Sequence, residues 1–256
     1  MRVFIVFFCA LLLVAGCDKF GTSLSQPPAH GTEFIVEADV SKADNPATAM
    51  SDLQQVLQKR FSSFGLKVYL EPMTNSRLRV VTTLSGTSQV AQAGVSLFRN
   101  GYLAFRLVHD RSDDMILHQD AIPPGYEVLK QVETTPSGPK IMSTVVVRKK
   151  PEGELAGKIV KEATVSRDNL GQPEIDFTLD EKATTAFAEV TRNNIGRRLA
   201  IVVDGELISA PVINSPIERG SGMIIGRYTV KEAVQLAAAL ENVLPVPVTI
   251  VSSEIF

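Results

Sequence analysis

NNIGRRLAIVVDGELISAPVINSP, which spans residues 193–216, predicts a β-hairpin. Two apolar runs, residues 199–203 and 207–213, flank the pair Asp204-Gly205. Aspartate and glycine tolerate the positive φ angles of a tight type I′ turn, and such a pair between apolar runs is a strong short-range signal for a hairpin. We therefore predict two antiparallel strands that are joined at Asp204-Gly205.

The residues around this hairpin predict a complete βαββαβ unit. Residues 174–179 alternate as a strand, and residues 180–194 carry apolar side chains at helical spacing. After the hairpin, Thr229 and Glu232 have the spacing of a capping box, in which each side chain satisfies a backbone amide at the start of a helix. Residues 246–251 predict the closing strand of this unit.

The N-terminal half predicts the same order of elements. Its pattern indicates, in order, a strand at 34–40, a helix at 46–64, strands at 66–70 and 78–84, a helix at 88–98 and a strand at 102–108. This order is that of ferredoxin-like folds. The sequence thus predicts an α+β protein of two ferredoxin-like units, residues 32–109 and 159–256, each an antiparallel sheet covered by two helices. Residues 110–158 predict an irregular connection that contains a hairpin.

The first residues predict a targeting segment. Arg2 precedes an apolar run, residues 3–16, that is shorter than the roughly 20 residues needed to span a bilayer core. The run leads into Leu-Val-Ala-Gly-Cys at residues 13–17, which is similar to the lipobox of bacterial lipoproteins. This resemblance implies that residues 1–16 are removed and that Cys17 is diacylated. An ordinary signal peptide with an unmodified Cys17 is the alternative.

The residues after the lipobox predict a lipid-anchored tether. Asp18 resembles the signal that keeps enterobacterial lipoproteins in the inner membrane, and an outer-membrane location is the alternative. Residues 17–31 are rich in serine, threonine, proline and glycine and predict a flexible spacer. Removal of Cys9 with the signal peptide leaves Cys17 as the last cysteine, so we expect no disulfide within the mature chain.

Composition and motifs favour binding over catalysis. The formal net charge is −2, and no basic cluster interleaved with aromatic residues indicates a nucleic-acid partner. The sequence contains no Gly-x-Ser-x-Gly elbow, Walker glycine loop or Rossmann glycine pattern. We therefore expect no enzyme activity, no cofactor and no small-molecule substrate.

One polar segment contains side chains of the kind that bind divalent cations. Carboxylates and imidazoles are the common ligands of such ions, and the segment contains His109, Asp110, Asp113, Asp114, His118 and Asp120. Their spacing matches neither an EF-hand loop nor a zinc motif. We predict a solvated polar linker between the units and no metal site.

Several segments resemble the first periplasmic domain of SecD, a protein-export component of bacterial membranes. Residues 58–65 (QKRFSSFG) and 77–81 are similar to its base subdomain, and residues 103–108 (LAFRLV) are similar to the strand that closes that subdomain. Residues 171–216 and 229–251 are similar to its head subdomain. In SecD, transmembrane helices that carry the proton coupling follow this domain. The resemblance therefore implies the client-facing domain and not the motor.

The resemblance also implies a function and a set of partners. We expect a non-enzymatic, membrane-anchored lipoprotein at the periplasmic face of the inner membrane, where it assists protein export or binds unfolded preproteins at the Sec translocon. The alternative is a cell-envelope scaffold or adaptor that keeps the fold and binds an unrelated partner, since fold does not fix function. A sheet edge can pair with an extended peptide of any sequence. The predicted peptide contact is therefore the hairpin, with the residues Leu199, Asp204, Gly205, Ile208 and Ile213.

Overall fold

The computed structural model describes residues 24–74, 76–84, 86, 97–135 and 138–256. The predicted signal peptide, Cys17 and Asp18 lie outside these residues, as does most of the helix predicted at 88–98. The helices within the described residues are α1 (Pro46–Ser63), α2 (Ser112–His118), α3 (Glu181–Asn193) and α4 (Val230–Glu241). None of these helices is both long enough and apolar enough to cross a membrane.

The strands of the described chain form antiparallel sheets. In chain order they are β1 (Thr32–Ala38), β2 (Val68–Pro72), β3 (Arg77–Thr82), β4 (Leu103–Leu107), β5 (Tyr126–Thr135), β6 (Gly138–Arg148), β7 (Ala156–Gly157), β8 (Val160–Arg167), β9 (Pro173–Leu179), β10 (Leu199–Val203), β11 (Glu206–Ser209), β12 (Ser221–Ile225) and β13 (Val248–Ile255). The first sheet has the order β13-β1-β3-β2, the second β11-β10-β4-β7 and the third β12-β9-β8. Strands β5 and β6 pair with each other and form the ribbon.

The hairpin predicted from Asp204-Gly205 is confirmed. Strands β10 and β11 pair antiparallel on either side of these two residues. Asp204 has φ +52° and Gly205 has φ +84°, as a type I′ turn requires. The capping box is confirmed as well, because the Thr229 hydroxyl accepts from the Glu232 amide and the Glu232 carboxylate accepts from the Thr229 amide. The hairpin predicted within 110–158 corresponds to the ribbon.

Antiparallel sheets with packed helices agree with the predicted fold class. The single sheet predicted for the second unit is wrong, because β9 pairs with β8 and β12 and not with the hairpin. Two further strand positions are wrong as well. The strand expected to close the first unit is β4, and it pairs with β10 in the second sheet, where Phe105 lies opposite Ile201. The strand expected to close the second unit is β13, and it pairs with β1 in the first sheet, from Thr32 opposite Ile255 to Ala38 opposite Val248. The residue boundaries of the predicted units stay a prediction.

Burial explains this exchange of strands. Side chains of β4 are buried on both faces, so β4 belongs in the second sheet, which α3 and α4 cover on one face and the ribbon covers on the other. Almost every residue of β13 is exposed, which suits an edge position. Strands β1, β2 and β3 supply three strands of the first sheet, and β13 pairs with β1 as the fourth.

The described residues form three hydrophobic cores. Helix α1 packs on the first sheet, where Phe34, Leu57 and Phe61 are almost completely buried. Helices α3 and α4 cover one face of the second and third sheets and enclose Phe105, Phe177 and Phe187. The ribbon packs on the opposite face of the second sheet, against Ala104, Ala200 and Val202. Each fully buried large side chain contributes about 1.5–3 kcal/mol, so these cores dominate the stability of the fold.

Candidate functional site

The apolar side chains predicted to contact a peptide are buried. Leu199 is 4% exposed, Ile208 9% and Ile213 5%, and all three belong to the core beneath α3 and α4. A peptide cannot reach these side chains without displacing that core. They therefore hold the hairpin in place, and a contact through the hairpin is limited to its outer backbone and to polar side chains near the turn.

Asp204 acts inside the protein and not on its surface. Its carboxylate accepts hydrogen bonds from the backbone amides of Gly101 (3.1 Å) and Tyr102 (2.8 Å) and from Nε of Arg99 (3.2 Å). These bonds attach the turn to the segment that leads into β4. Gly205, the second turn residue, is exposed, with no atom close to the position of a side chain. The main role of Asp204 is therefore to attach the hairpin to the rest of the protein.

Arg60 holds the two halves of the molecule together. It lies on α1 with 1% of its surface exposed, and its guanidinium donates to backbone carbonyl oxygens of residues 97, 99, 100, 239 and 242. Two of these acceptors, Ala239 and Asn242, lie at the C-terminal end of α4, where carbonyls have no partner within the helix and a positive charge is favourable. We call Arg60, residues 97–101 and residues 239–242 the joint.

The charge of Arg60 persists in this buried position. Burial lowers the pKa of its guanidinium to about 10, while the carboxylate of Asp204 acts in the opposite direction. Since this pKa lies well above neutral, the group is charged at pH 7. In the sequence, Arg60 stands out only as one letter of a segment that resembles SecD. The sequence shows no partner side chain for Arg60, because the acceptors of its hydrogen bonds are backbone carbonyls that are distant in the sequence.

One group of exposed apolar side chains lies at the outer end of the ribbon. Val132 and Ile141 are cross-strand partners on one face of the ribbon, and they are 53% and 54% exposed. Met142 follows Ile141 and is also exposed. Among the described strands, the ribbon joins another strand through the single bridge between Val108 and Val147, near its inner end. Its outer end therefore projects with apolar side chains in solvent.

A second group of exposed apolar side chains lies on β12, the edge strand of the third sheet. Met223 and Ile225 alternate with the buried Ile224 and point away from the core. Two residues beyond Ile225, Arg227 forms an ion pair with Glu133 of the ribbon, with 3.4 Å between the nitrogen and the oxygen. This contact shows that the end of β12 lies near the outer end of the ribbon. We call Val132, Ile141, Met142, Met223 and Ile225 the apolar strip.

The apolar strip can contact an extended polypeptide in two ways. Its side chains offer apolar surface, which attracts apolar residues in proportion to the area buried and without sequence preference. The strands that carry it are an edge strand and a two-stranded ribbon, whose outer backbone groups can pair with an added strand. The sequence pattern predicted strands at 126–131 and 141–148 with a turn between them, so it missed the outer end of the ribbon and indicated no binding site there.

The polar segment at residues 109–120 is held by ion pairs. Asp110 contacts Arg197 at 2.7 Å and Asp113 contacts Arg198 at 2.6 Å, so α2 is tied to the start of β10. Asp120 contacts Arg111 at 3.4 Å. Within the described ranges, no three His, Cys, Asp or Glu side chains are grouped so that they could hold a metal ion. Asp110 and Asp113 thus connect the segment around α2 to the start of β10, whereas Asp120 pairs within the segment.

Comparison with known proteins identifies relatives of this chain. Residues 128–246 match the family model for the P1 head subdomain of SecDF. The protein translocase subunit SecD of Leptotrichia buccalis is 30% identical over 97% of this chain and 51% of its own length. SecD of Treponema pallidum is 32% identical over 88% of this chain and 42% of its own length. The chain thus spans about half the length of the curated relatives it matches.

A solved structure is similar over the same region. It is a chain of SecDF, described as a membrane component that enhances protein export. The two chains have 25% sequence identity and a TM-score of 0.62, over 86% of this chain and 98% of the other. The match to the family model includes every residue of the apolar strip.

Proposed function

This chain belongs to the SecD/SecDF family through its first periplasmic (P1) domain, and we propose that it assists protein export by binding unfolded preprotein segments beside the Sec translocon. We place the contact on the apolar strip. In this proposal the protein acts by binding, as a non-enzymatic component. The observation that carries the proposal is the exposure of the strip on strands that can accept a further strand.

The chemistry of the strip suits a client of variable sequence. An extended peptide presents alternate side chains to one face and its backbone groups to the edge. The strip residues carry no charge, so we expect the strip to bind acidic and basic client segments with similar affinity. Binding through apolar area and backbone pairing lacks the deep pockets that select particular side chains. We therefore expect weak binding from which a client dissociates rapidly.

We predict that acidic side chains in the strip weaken client binding. The double variant Val132→Asp, Ile141→Asp is expected to bind an unfolded preprotein roughly tenfold less tightly, because the apolar pair loses about 1–2 kcal/mol of contact. Both residues are exposed, so no core packing is lost. Two carboxylates that face each other across the strands, together with the low strand propensity of aspartate, should lower the free energy of unfolding by about 1–2 kcal/mol, and thermal unfolding verifies that the variant is folded. Fluorescence anisotropy with a labelled, unfolded preprotein measures the affinity.

A matched control tests the position of the contact. Ile195 is 54% exposed, as Ile141 is, but it lies in the turn between α3 and β10. Ile195→Asp should bind the preprotein like the unaltered protein. Photocrosslinkers at positions 132 and 141 should capture secretory clients, and affinity purification should recover Sec components. Equal affinity of all variants, or recovery of an unrelated envelope assembly instead of Sec components, would contradict the proposal.

We also propose that Cys17 carries a lipid anchor that holds the domain at the periplasmic face of the inner membrane. The lipobox-like residues 13–17 and Asp18 support this. Diacylation provides enough buried CH₂ groups, at about 0.8 kcal/mol each, for stable attachment. Cys17→Ser is expected to move the protein from the membrane fraction to the soluble fraction, whereas Cys9→Ser should leave it on the membrane. Cell fractionation and intact-protein mass measure this, and an unchanged distribution of Cys17→Ser would argue against the anchor.

A further inference from the structure

A buried carboxylate lies at the inner end of the ribbon. Glu152, in the segment between β6 and β7, is 9% exposed. One of its carboxylate oxygens accepts a hydrogen bond from the backbone amide of Leu107 at 3.2 Å. The other oxygen accepts from Nη1 of Arg148, the last residue of β6, at 3.1 Å. Glu152 thus connects the backbone of β4 to the end of the ribbon.

The contact with Leu107 occupies a part of β4 that has no strand partner on one side among the described strands. β4 pairs with β10 along its whole length, but with β7 only at its first two residues. Further along this edge, the amide of Phe105 donates to the carbonyl of Leu155 and the amide of Leu107 donates to Glu152. Because an unpaired buried amide is unfavourable, this position needs a side chain that accepts a hydrogen bond. Glutamine would also satisfy the amide, so the amide alone does not explain a buried carboxylate.

The ribbon is held at its inner end by one ion pair on each strand. On β6, Arg148 pairs with Glu152, and on β5, Glu127 pairs with Arg106 of β4. The pKa of Arg148 is raised by its hydrogen bond with Tyr126, the residue opposite it, and by the charge of Glu152. Hydrogen bonds between charged groups fix the direction of their partners, whereas apolar packing acts in proportion to area and has no direction. Loss of the Glu152 pair should therefore let the ribbon tilt about the remaining pair.

The length of the ribbon amplifies such a tilt. The stretch from Tyr126 to Val132 is about 20 Å long, at a rise of about 3.3 Å per residue in a β-strand. A tilt of about 10° at the inner end therefore moves the outer end by about 3.5 Å. Arg227 and Glu133 are 3.4 Å apart, and a displacement of this size would separate them. The two parts of the apolar strip thus keep their relative position only while the inner end of the ribbon is held.

From these contacts we propose that Glu152 is a positioning residue, which sets the direction of the ribbon through its ion pair with Arg148 while it satisfies the amide of Leu107. Glu152 lies at the end of the ribbon opposite the apolar strip, so it acts on the strip through the ribbon and not by contact with a client. The effect on client binding rests on the proposed function of the strip. The effect on the geometry of the ribbon is independent of that function.

Spin labels measure the direction of the ribbon. They are attached at Lys140→Cys, near its outer end, and at Glu189→Cys on α3, because both positions are exposed. Cys9→Ser and Cys17→Ser remove the native thiols, and the full chain is purified in mild detergent. Double electron–electron resonance should give one narrow distribution of distances between the two labels.

Two substitutions that break the ion pair test the role of Glu152. Glu152→Gln keeps an acceptor for the amide of Leu107 but loses the charge, so the distance should shift, or its distribution broaden, by about 3 Å or more. Arg148→Met removes the same pair and should have the same effect, and the double variant should show no further change. Glu154→Gln is the matched control, because the exposed Glu154 pairs with Lys182 of α3 at 2.7 Å and should leave the distance unchanged. Thermal unfolding verifies that each variant is folded.

The affinity for an unfolded preprotein separates this inference from the proposed function. If both hold, Glu152→Gln should bind the labelled preprotein several-fold less tightly, whereas Glu154→Gln should bind it like the unaltered protein. A shifted distance with unchanged affinity would support the role of Glu152 and contradict the client contact on the strip. An unchanged distance in both Glu152→Gln and Arg148→Met would overturn the inference, even if substitutions in the strip still weaken client binding.

Discussion

Arg60→Met is expected to lower the free energy of unfolding by about 3–5 kcal/mol. Methionine has a similar length but no hydrogen-bond donor. The change leaves the carbonyl oxygens of five residues, at positions 97, 99, 100, 239 and 242, without the guanidinium that they share. Water cannot easily replace it, because Arg60 is 1% exposed. Urea denaturation of the full chain measures the loss.

The neighbouring residue provides a matched control. Lys59 is on the same turn of α1 but is exposed, so Lys59→Met removes a positive charge without touching the joint. We expect this change to alter the free energy of unfolding by about 0.5 kcal/mol or less. Arg60→Lys should resemble Arg60→Met more than the unaltered protein, because an ammonium cannot reach acceptors spread around a planar fork. If Arg60→Met and Lys59→Met had equal stability, the joint would not depend on the guanidinium.

Gly101→Ala is expected to destabilise the protein by about 3 kcal/mol or more, or to prevent it from folding at 37 °C. A Cβ atom at this position would lie 2.1 Å from the carbonyl oxygen of Ala239 and 2.7 Å from its carbon. Both atoms belong to the backbone of α4, which cannot rotate away as a flexible side chain can. Gly101 also has φ +81°, which strains any residue with a side chain. The steric contact and the backbone strain act together.

A substitution at a second glycine separates the effect of the steric contact from the effect of the positive φ angle. Gly125 has nearly the same φ, +84°, but no atom lies within 4 Å of the position that a Cβ atom would take there. Gly125→Ala should therefore show the backbone strain alone, which costs about 1 kcal/mol. Thermal unfolding of the two variants, side by side, measures the difference. A similar small loss for both would mean that α4 shifts without cost and that the joint is loosely packed.

Together these predictions concern how the hairpin is positioned. Arg60 connects α1 to α4, Gly101 allows the chain to pass against α4, and Asp204 accepts from the amides of Gly101 and Tyr102. The joint thus lies between the first sheet and the second sheet. Destabilising the joint should alter the placement of the ribbon and β12 relative to the first sheet, in addition to lowering the stability.

Local signals in the sequence were sufficient for individual elements. Asp204-Gly205 determined a type I′ hairpin because few residue pairs tolerate two positive φ angles in succession. Thr229 and Glu232 determined the start of α4 because their side chains satisfy the first amides of a helix within one turn. The apolar spacing of residues 50–61 determined α1 in the same way. Each of these features depends on atoms only a few residues apart.

Other features depend on which elements meet. The pattern of β4 predicted a strand correctly but not its neighbours, because pairing with β10 satisfies burial on both of its faces and pairing in the first sheet does not. The contact residues predicted in the hairpin are buried because α3 and α4 pack on it. The apolar strip combines residues from the ribbon and β12, which are far apart in the sequence and lie near each other where Arg227 contacts Glu133.

The sequence by itself therefore determined the elements, the turn chemistry and the family of this protein. The tertiary structure alone decided that β4 and β13 exchange sheets, that a buried arginine joins α1 to α4, and that apolar side chains of the ribbon and β12 are exposed. The physical reason is the range of the interactions. Propensity and capping act within one turn of chain, whereas strand partners and burial are set by the total free energy of packing over the whole molecule.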